Sequence, residues 1–113
     1  MKQITAIVQP HRLEKVEAAL HHLPHFPGFT LLQGHGHPRG HGHSHAYVAD
    51  EWEPSRHPCL ILWIYCDDAQ VDAIMQAIEQ AAHTGQPGDG LVTVTEVIDI
   101  VRIRSGERGR AAV

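Results

Sequence analysis

The chain has 113 residues, 42% of them hydrophobic, which is enough for one compact core and too few for two ordinary domains, so a single domain over 1–113 is expected. Its formal net charge of -4, with Lys+Arg 9 against Asp+Glu 13, leaves no basic surplus to neutralise phosphates and argues against a nucleic-acid partner. The His count of 11 makes that charge sensitive to pH, because imidazoles protonate below about pH 6 and turn the chain cationic.

The segment from Met1 to Pro10 has no long apolar core before a small-residue cleavage site, and no stretch reaches the roughly 18 apolar residues of a membrane span. A cytoplasmic protein is the expectation. Ile4, Ala6 and Val8 alternate with Gln3, Thr5 and Ile7, the period of a first strand ended by Pro10. From His11 the period changes: Leu13, Val16, Leu20 and Leu23 recur at three or four residues among Arg12, Glu14, Lys15 and Glu17, predicting an amphipathic helix. His21, His22 and His25 fall at its C-terminal end, where cationic side chains suit the helix dipole. Pro24, Pro27 and Gly28 stop the helix, and Phe29 to Leu32 reads as a short second strand.

Residues 34–45, Gly-His-Gly-His-Pro-Arg-Gly-His-Gly-His-Ser-His, have almost nothing apolar to anchor them to a core. They predict a long loop over about 34–57, and composition alone makes His35, His37, His41, His43 and His45 candidate metal ligands. On an extended loop, residues two apart lie on one side roughly 6 to 7 Å from each other, so His41, His43 and His45 converge on one ion after modest bending. Neutral imidazole suits Zn, Cu, Ni and Co, and affinity falls as the rings protonate. His57 and Cys59, also two apart, are further candidates at the loop base. The competing reading is a flexible loop that binds metal only adventitiously. Trp52 on this loop is a candidate partner anchor.

Cys59 to Cys66 is a nearly unbroken apolar run, the kind of strand buried on both faces or in an oligomer, with Trp63 expected in the core. Their odd separation puts Cys59 and Cys66 on opposite faces, which excludes a disulfide between them and predicts reduced thiols. Asp67 with Gln70 three residues on is a capping pattern ahead of Val71, Ile74, Met75 and Ile78, so a second amphipathic helix runs to about Ala82. A glycine-rich connection leads into a fourth strand with Val92, Val94 and Val97. Ile98 to Ile103 and a flexible polar tail over about 105–113 close the chain. This order predicts an α+β, ferredoxin-like βαββαβ fold: a four-stranded antiparallel sheet with both helices on one face, an architecture with many unrelated functions.

Two stretches carry candidate binding chemistry. In Thr84-Gly85-Gln86-Pro87-Gly88-Asp89-Gly90, three glycines let the backbone approach an anion and present its N–H groups. Arg102 and Arg104 would share one face of an extended segment and meet a polyphosphate together. The residues alone equally allow a tight turn beside a solvated charged strand, since the spacing is neither a Walker loop nor a dinucleotide fingerprint. No nucleophile and base stand at a recognisable spacing, so no enzyme is expected.

Met-Lys-Gln-Ile-Thr-Ala-Ile-Val-Gln-Pro at the start, Gly28-Phe29-Thr30, the stretch from Thr84 to Gly90, and Val101-Arg102-Ile103-Arg104-Ser105-Gly106-Glu107 together resemble the PII signal-transduction family over nearly the whole chain. The resemblance implies a homotrimer, ATP or ADP bound in the clefts between protomers, and a long loop that reaches into a membrane transporter or another partner. Position by position, it implies a phosphate-facing turn of Gly88, Asp89 and Gly90, phosphate contacts from Arg102 and Arg104, and Thr30, Gly34 and Gly36 at the loop base beside the adenine.

Several positions depart from the family's pattern. Leu91 stands where the family has a lysine that reaches phosphates and helps with 2-oxoglutarate, and Cys59 replaces another lysine. Pro38 or Arg39 lies near the place of the glutamine that holds Mg and 2-oxoglutarate. Asp50, Glu51 or Trp52 occupies the usual uridylylation site, while Tyr47 matches a different tyrosine. These departures remove the reasons to expect 2-oxoglutarate sensing or uridylylation and leave the nucleotide cradle. Ala82-His83-Thr84-Gly85 and Gly106-Glu107-Arg108-Gly109 resemble a divergent branch associated with heavy-metal efflux systems, and a related branch is linked to bicarbonate transport and carboxysomes. Three readings follow: a nucleotide-binding trimer whose loop senses Zn, Ni, Cu or Co or engages a metal transporter or efflux component; a regulator of bicarbonate uptake or carboxysome function; or a metal storage or chaperone protein without nucleotide sensing.

Overall fold

A computed structural model describes residues 1–37 and 57–113. Strand β1 (Lys2–Val8) gives way at Pro10 to a short 3₁₀ turn, Pro10–Arg12, and then to helix α1 (Leu13–His21). Proline suits that first position because its fixed φ is pre-organised for a helical turn and its missing N–H has no partner there anyway. Strands β2 (Thr30–His35) and β3 (Pro58–Cys66) follow, then helix α2 (Val71–Ala82) and strand β4 (Gly90–Glu96). The sheet is antiparallel throughout in the order β2-β3-β1-β4, the predicted ferredoxin-like topology. The Asp67 and Gln70 capping pair forms as expected: the Asp68 N–H donates to Asp67 Oδ1 at 2.9 Å, and Gln70 Oε1 accepts from the Asp67 N–H at 3.0 Å.

Alternation sorts the sheet into two faces. Ile4, Ala6 and Val8 of β1 and Leu60, Leu62, Ile64 and Cys66 of β3 turn inward against Val16 and Leu20 of α1 and Ile74, Ile78 and Ala82 of α2, all buried. A fully buried aliphatic side chain of this kind contributes about 1.5–3 kcal/mol. Burial also raises the Cys66 thiol above its ordinary value, so it stays protonated. Both cysteines are free and they lie on opposite faces, as their spacing requires.

Three expectations need correction. The second strand runs over Thr30–His35, later than Phe29 to Leu32, so the first histidine of the expected loop belongs to the sheet. That shift happens because Gly34 and His35 pair with Cys59 and Pro58, which their own composition gives no hint of. Strand β3 is buried on one face only within the protomer, and Trp63, expected in the core, is 38% exposed. Its side chain lies on the sheet face that no helix among the described residues covers. The segment after Ile98 is not extended either: Val101 bridges to Arg108 around a turn, with Gly106 N–H donating to the Arg102 carbonyl at 2.7 Å.

The open face carries a row of apolar side chains in register, Leu32, Ile61, Ile7 and Leu91, one from each strand, flanked by Trp63 and Tyr65. No helix among the described residues is long and apolar enough to cross a membrane.

Candidate functional site

The glycine-rich turn is built outward from the end of α2. Beyond Ala82 the His83 N–H still bonds the Glu79 carbonyl at 3.1 Å, and the Arg12 guanidinium reaches across to the Ala81 carbonyl with Nη2 at 2.7 Å and Nε at 3.1 Å. A cation on the last carbonyls of a helix satisfies orphan acceptors and complements the dipole. Asp89 then closes the turn. Its Oδ2 accepts the N–H groups of Thr84 at 2.8 Å and Gly85 at 2.9 Å, and its Oδ1 accepts the Thr84 hydroxyl. Those donors, the Thr84 hydroxyl foremost, hold the carboxyl below the ordinary carboxylate range, with His83 adding a smaller pull. The resemblance puts Asp89 in a phosphate-facing turn, but its carboxylate points into the loop and consumes two of the N–H groups that a nest would offer an anion. Asp89 therefore organises the turn.

Gly90 has a different reason to be glycine. Its φ is +102°, and a Cβ there would lie 1.8 Å from the Ile7 carbonyl oxygen, so the close pairing of β4 with β1 admits no side chain. At Gly88, φ +90°, an added Cβ would lie 3.6 Å from the Gln9 carboxamide nitrogen, just beyond the end of β1. Beside the turn lies a cavity of about 340 Å³ at the outer edge of the sheet. Ile7, Leu91 and Val92 supply apolar wall, and Glu79, His83 and Asp89 supply titratable groups.

The expected base of the long loop lies at the same end of the sheet but on the other edge strand. Gly34 faces Cys59, where an added Cβ would meet Ile61 Cδ1 at 3.2 Å and Cys59 Sγ at 3.3 Å, and the Gly36 N–H donates to the His57 carbonyl at 2.8 Å. Thr30 opens the strand on the uncovered face opposite Trp63. Since β2 and β4 are the two edges, Gly34 and Gly90 are separated by three strand spacings, roughly 14 Å.

The arginines lie at the opposite end. From Gly90 to Glu96 strand β4 advances by roughly 20 Å, and the hairpin that follows is tied to the far end of the sheet by Arg110, whose Nε and Nη2 reach Asp67 Oδ2 at 2.9 and 2.6 Å. Arg108 pairs with Asp99, and Arg102 donates to the Ala112 carbonyl at 3.3 Å beside Glu107 at 3.8 Å. Arg104 is exposed in the turn. No hydrogen bond or ion pair among the described residues joins Arg102 or Arg104 to the turn at 84–90. Within one chain the structure therefore sets the glycine-rich turn and the arginines, two candidate half-sites, at opposite ends of the sheet and leaves Thr30, Gly34 and Gly36 on or beside the other edge strand.

Of the metal candidates, His35 ends β2 and His37 follows it, both exposed, whereas His41, His43 and His45 lie outside the described residues, as do Tyr47 and Trp52. Among the described residues no group of three His, Cys, Asp or Glu side chains is arranged to hold a metal ion, His57 and Cys59 included. Sequence reasoning missed the cap from Arg12, the inward lock of Asp89 and the tie from Arg110 to Asp67. Only Asp89 had a local signal, an Asp five residues after a Thr within one glycine-rich turn; the other two contacts span 69 and 43 residues.

The comparisons with known proteins cover both half-sites. The family model described as Nitrogen regulatory protein P-II matches residues 1–107. A Nitrogen regulatory protein P-II of Azospirillum brasilense is 39% identical over 113 residues, spanning 100% of each chain. Proteins of that name from Rhodospirillum rubrum and, as Nitrogen regulatory protein P-II 1, from Methanothermobacter thermautotrophicus are each 37% identical over all of this chain and over 100% and 97% of their own. With a match that takes in the first strand, the Asp89-locked turn and the arginine hairpin in one uninterrupted span, this chain belongs to the nitrogen regulatory protein P-II family.

Proposed function

We propose that the chain is a homotrimeric regulator of the P-II type, a cytoplasmic protein that binds ATP or ADP where two protomers meet. Its histidine-rich loop responds to a transition metal, or to a membrane transporter of the metal-efflux kind, and its mechanism is conformational and not catalytic. The observation that carries this reading is the separation of the two half-sites. The turn at 84–90 with its cavity and the hairpin with Arg102 and Arg104 stand at opposite ends of one protomer, so a polyphosphate that needs both draws them from two chains. The uncovered sheet face supports the assembly, because a contiguous row such as Leu32, Ile61, Ile7 and Leu91 flanked by Trp63 is an apolar patch that a partner surface covers. Ile98 and Ile103, 96% and 98% exposed on the hairpin, are further apolar surface available to a second copy.

The residues of the turn fit an anion only in part. Asp89 holds it shut from within, Gly88 allows close backbone approach, and the positive charge comes from Arg102 and Arg104 of a neighbour. Nucleotide and metal, each favouring one arrangement of the loop between β2 and β3, are then coupled reciprocally.

The test is calorimetric titration of tag-free protein with ATP and ADP, with and without Zn, Ni, Cu or Co, alongside mass measurement by light scattering. The reading expects a trimer, nucleotide binding that collapses in an Arg102→Ala/Arg104→Ala double variant, and a metal affinity that nucleotide alters. A second reading, metal storage without nucleotide sensing, is favoured by Leu91, a half-exposed aliphatic on the cavity wall that offers no charge to a phosphate. Under that reading the double variant binds metal as the parent does and neither protein binds nucleotide.

A further inference from the structure

Of the two arginines that the proposed function brings to a polyphosphate, Arg102 is the one its own chain holds. Its Nη2 donates to the Ala112 carbonyl at 3.3 Å, and its side chain is half-buried, while Arg104 stands exposed in the turn. The Ala112 carbonyl belongs to a 3₁₀ turn, Gly109–Ala112, that is fastened at several points. The Gly109 N–H donates to the Ile100 carbonyl at 2.8 Å, and the Val113 N–H returns to the Arg110 carbonyl at 3.3 Å. The Arg110 guanidinium then reaches Asp67 Oδ2 with Nη2 at 2.6 Å and Nε at 2.9 Å. Asp67 is a firm anchor, because its side chain is 26% exposed and its other oxygen caps the turn that leads into α2, accepting the Asp68 N–H at 2.9 Å. We infer that Arg110 and Asp67 are positioning residues for the nucleotide: their latch seats the C-terminal turn, whose Ala112 carbonyl holds the Arg102 guanidinium in one pose before a phosphate arrives.

A carbonyl orients a guanidinium without neutralising it. Ala112 takes one of the N–H donors of the fork and leaves the others for phosphate oxygens. Arginine loses much rotamer freedom when it is ordered, so a pose already fixed in the free protein removes that cost from binding. Glu107 is the rival partner. Its Oε1, which accepts the Ser105 hydroxyl at 2.9 Å, stands 3.8 Å from Arg102 Nη1, within ion-pair range and too far for a hydrogen bond. With the latch open, Arg102 loses the carbonyl and is free to wander or to settle on Glu107, and either outcome costs affinity for an anion. Arg110 is 78% exposed, so water screens its pair with Asp67, and losing the pair alters the pose of one side chain without unfolding the sheet. The consequence for ligand rests on the nucleotide reading, whereas the hold on Arg102 is a property of the chain alone.

The experiment pairs NMR relaxation of the arginine side-chain Nε–H groups, on the full chain without ligand, with calorimetric titration of ATP. In the parent, Arg102 Nε–H is expected to be nearly as ordered as the backbone amides of β1, and Arg104 Nε–H mobile. In Arg110→Ala, Arg102 is expected to become as mobile as Arg104 while the backbone amides of β1 and α2 keep their order. An Arg102 that is already mobile in the parent, or still ordered in Arg110→Ala, overturns the inference. For ATP, Arg110→Ala is expected to weaken binding about three- to tenfold, and the same change made in an Arg102→Ala chain is expected to shift affinity by less than about twofold, because Arg110 acts through Arg102. An equal loss in both backgrounds overturns the positioning role. So does ATP binding that is the same in parent and Arg110→Ala, a result that leaves the nucleotide reading standing. An Arg102 ordered through Arg110 in a chain that binds neither ATP nor ADP sinks the nucleotide reading and establishes the hold by itself.

Discussion

Gly90 and Asp89 are neighbours in sequence with unrelated physical tasks. Gly90 is fixed by a backbone clash: its positive φ and the Ile7 carbonyl 1.8 Å from a would-be Cβ mean that Gly90→Ala must break the β1–β4 register or push the strands apart. That variant is expected to lose more than about 2 kcal/mol of stability, measured by denaturant unfolding, and to disturb the cavity even where it folds. Gly88 lacks such a clash, since a Cβ there would meet only the end of the Gln9 side chain, at 3.6 Å, so a substitution strains φ without a clash against backbone. Asp89 is not a core residue. It acts as an internal anion for Thr84 and Gly85.

At the scale of elements, β3 illustrates how one strand serves two surfaces. Leu62 is fully buried under the helices while Trp63, the next residue, stands on the open face. Leu62→Ala is expected to cost about 2–5 kcal/mol in unfolding experiments through a cavity that the core cannot refill. Trp63→Ser is expected to change the unfolding of an isolated protomer little and to weaken self-association, read as a mass that falls on dilution in light scattering. A Trp63→Ser chain that unfolds as Leu62→Ala does would mean that Trp63 packs within its own protomer. The C-terminal hairpin is the other element with two sides. Asp99 and Arg108 pair across its base, Arg110 ties it to Asp67 just beyond β3, and Ile98 and Ile103 are left facing outward.

For the whole molecule, the distance between half-sites gives the most direct test of the proposed assembly. A chain carrying Arg102→Ala and Arg104→Ala and a chain with Gly88→Val, whose β-branched side chain is strained at φ +90° and crowds the turn's approach, are each expected to lack one half of every site. Refolded together in equal amounts, they are expected to regain about a quarter of the parent's nucleotide sites, because a symmetric ring joins the intact turn of one chain to the intact arginines of another at that frequency. Recovery of none would show that each site is built from one chain, against the two-chain cleft.

The sequence by itself determined the elements and their order. Period-two alternation in Ile4, Ala6 and Val8, period-3.6 recurrence in Val16 and Leu20 and in Ile74 and Ile78, and the Asp67 cap are local signals, and local steric and burial physics reads them directly. The tertiary structure alone decided which surfaces are exposed. Trp63 looks like core because hydrophobicity does not say which sheet face a helix will cover, and the helices among the described residues cover β3 on one side only. Arg102 and Arg104 look like an extended pair because nothing nearby announces the turn that Val101 and Arg108 close. The pairing of Arg110 with Asp67 and of Arg12 with the Ala81 carbonyl depends on chain segments brought together from 43 and 69 residues away, a separation at which sequence carries no geometric signal and only the packed sheet supplies the distance.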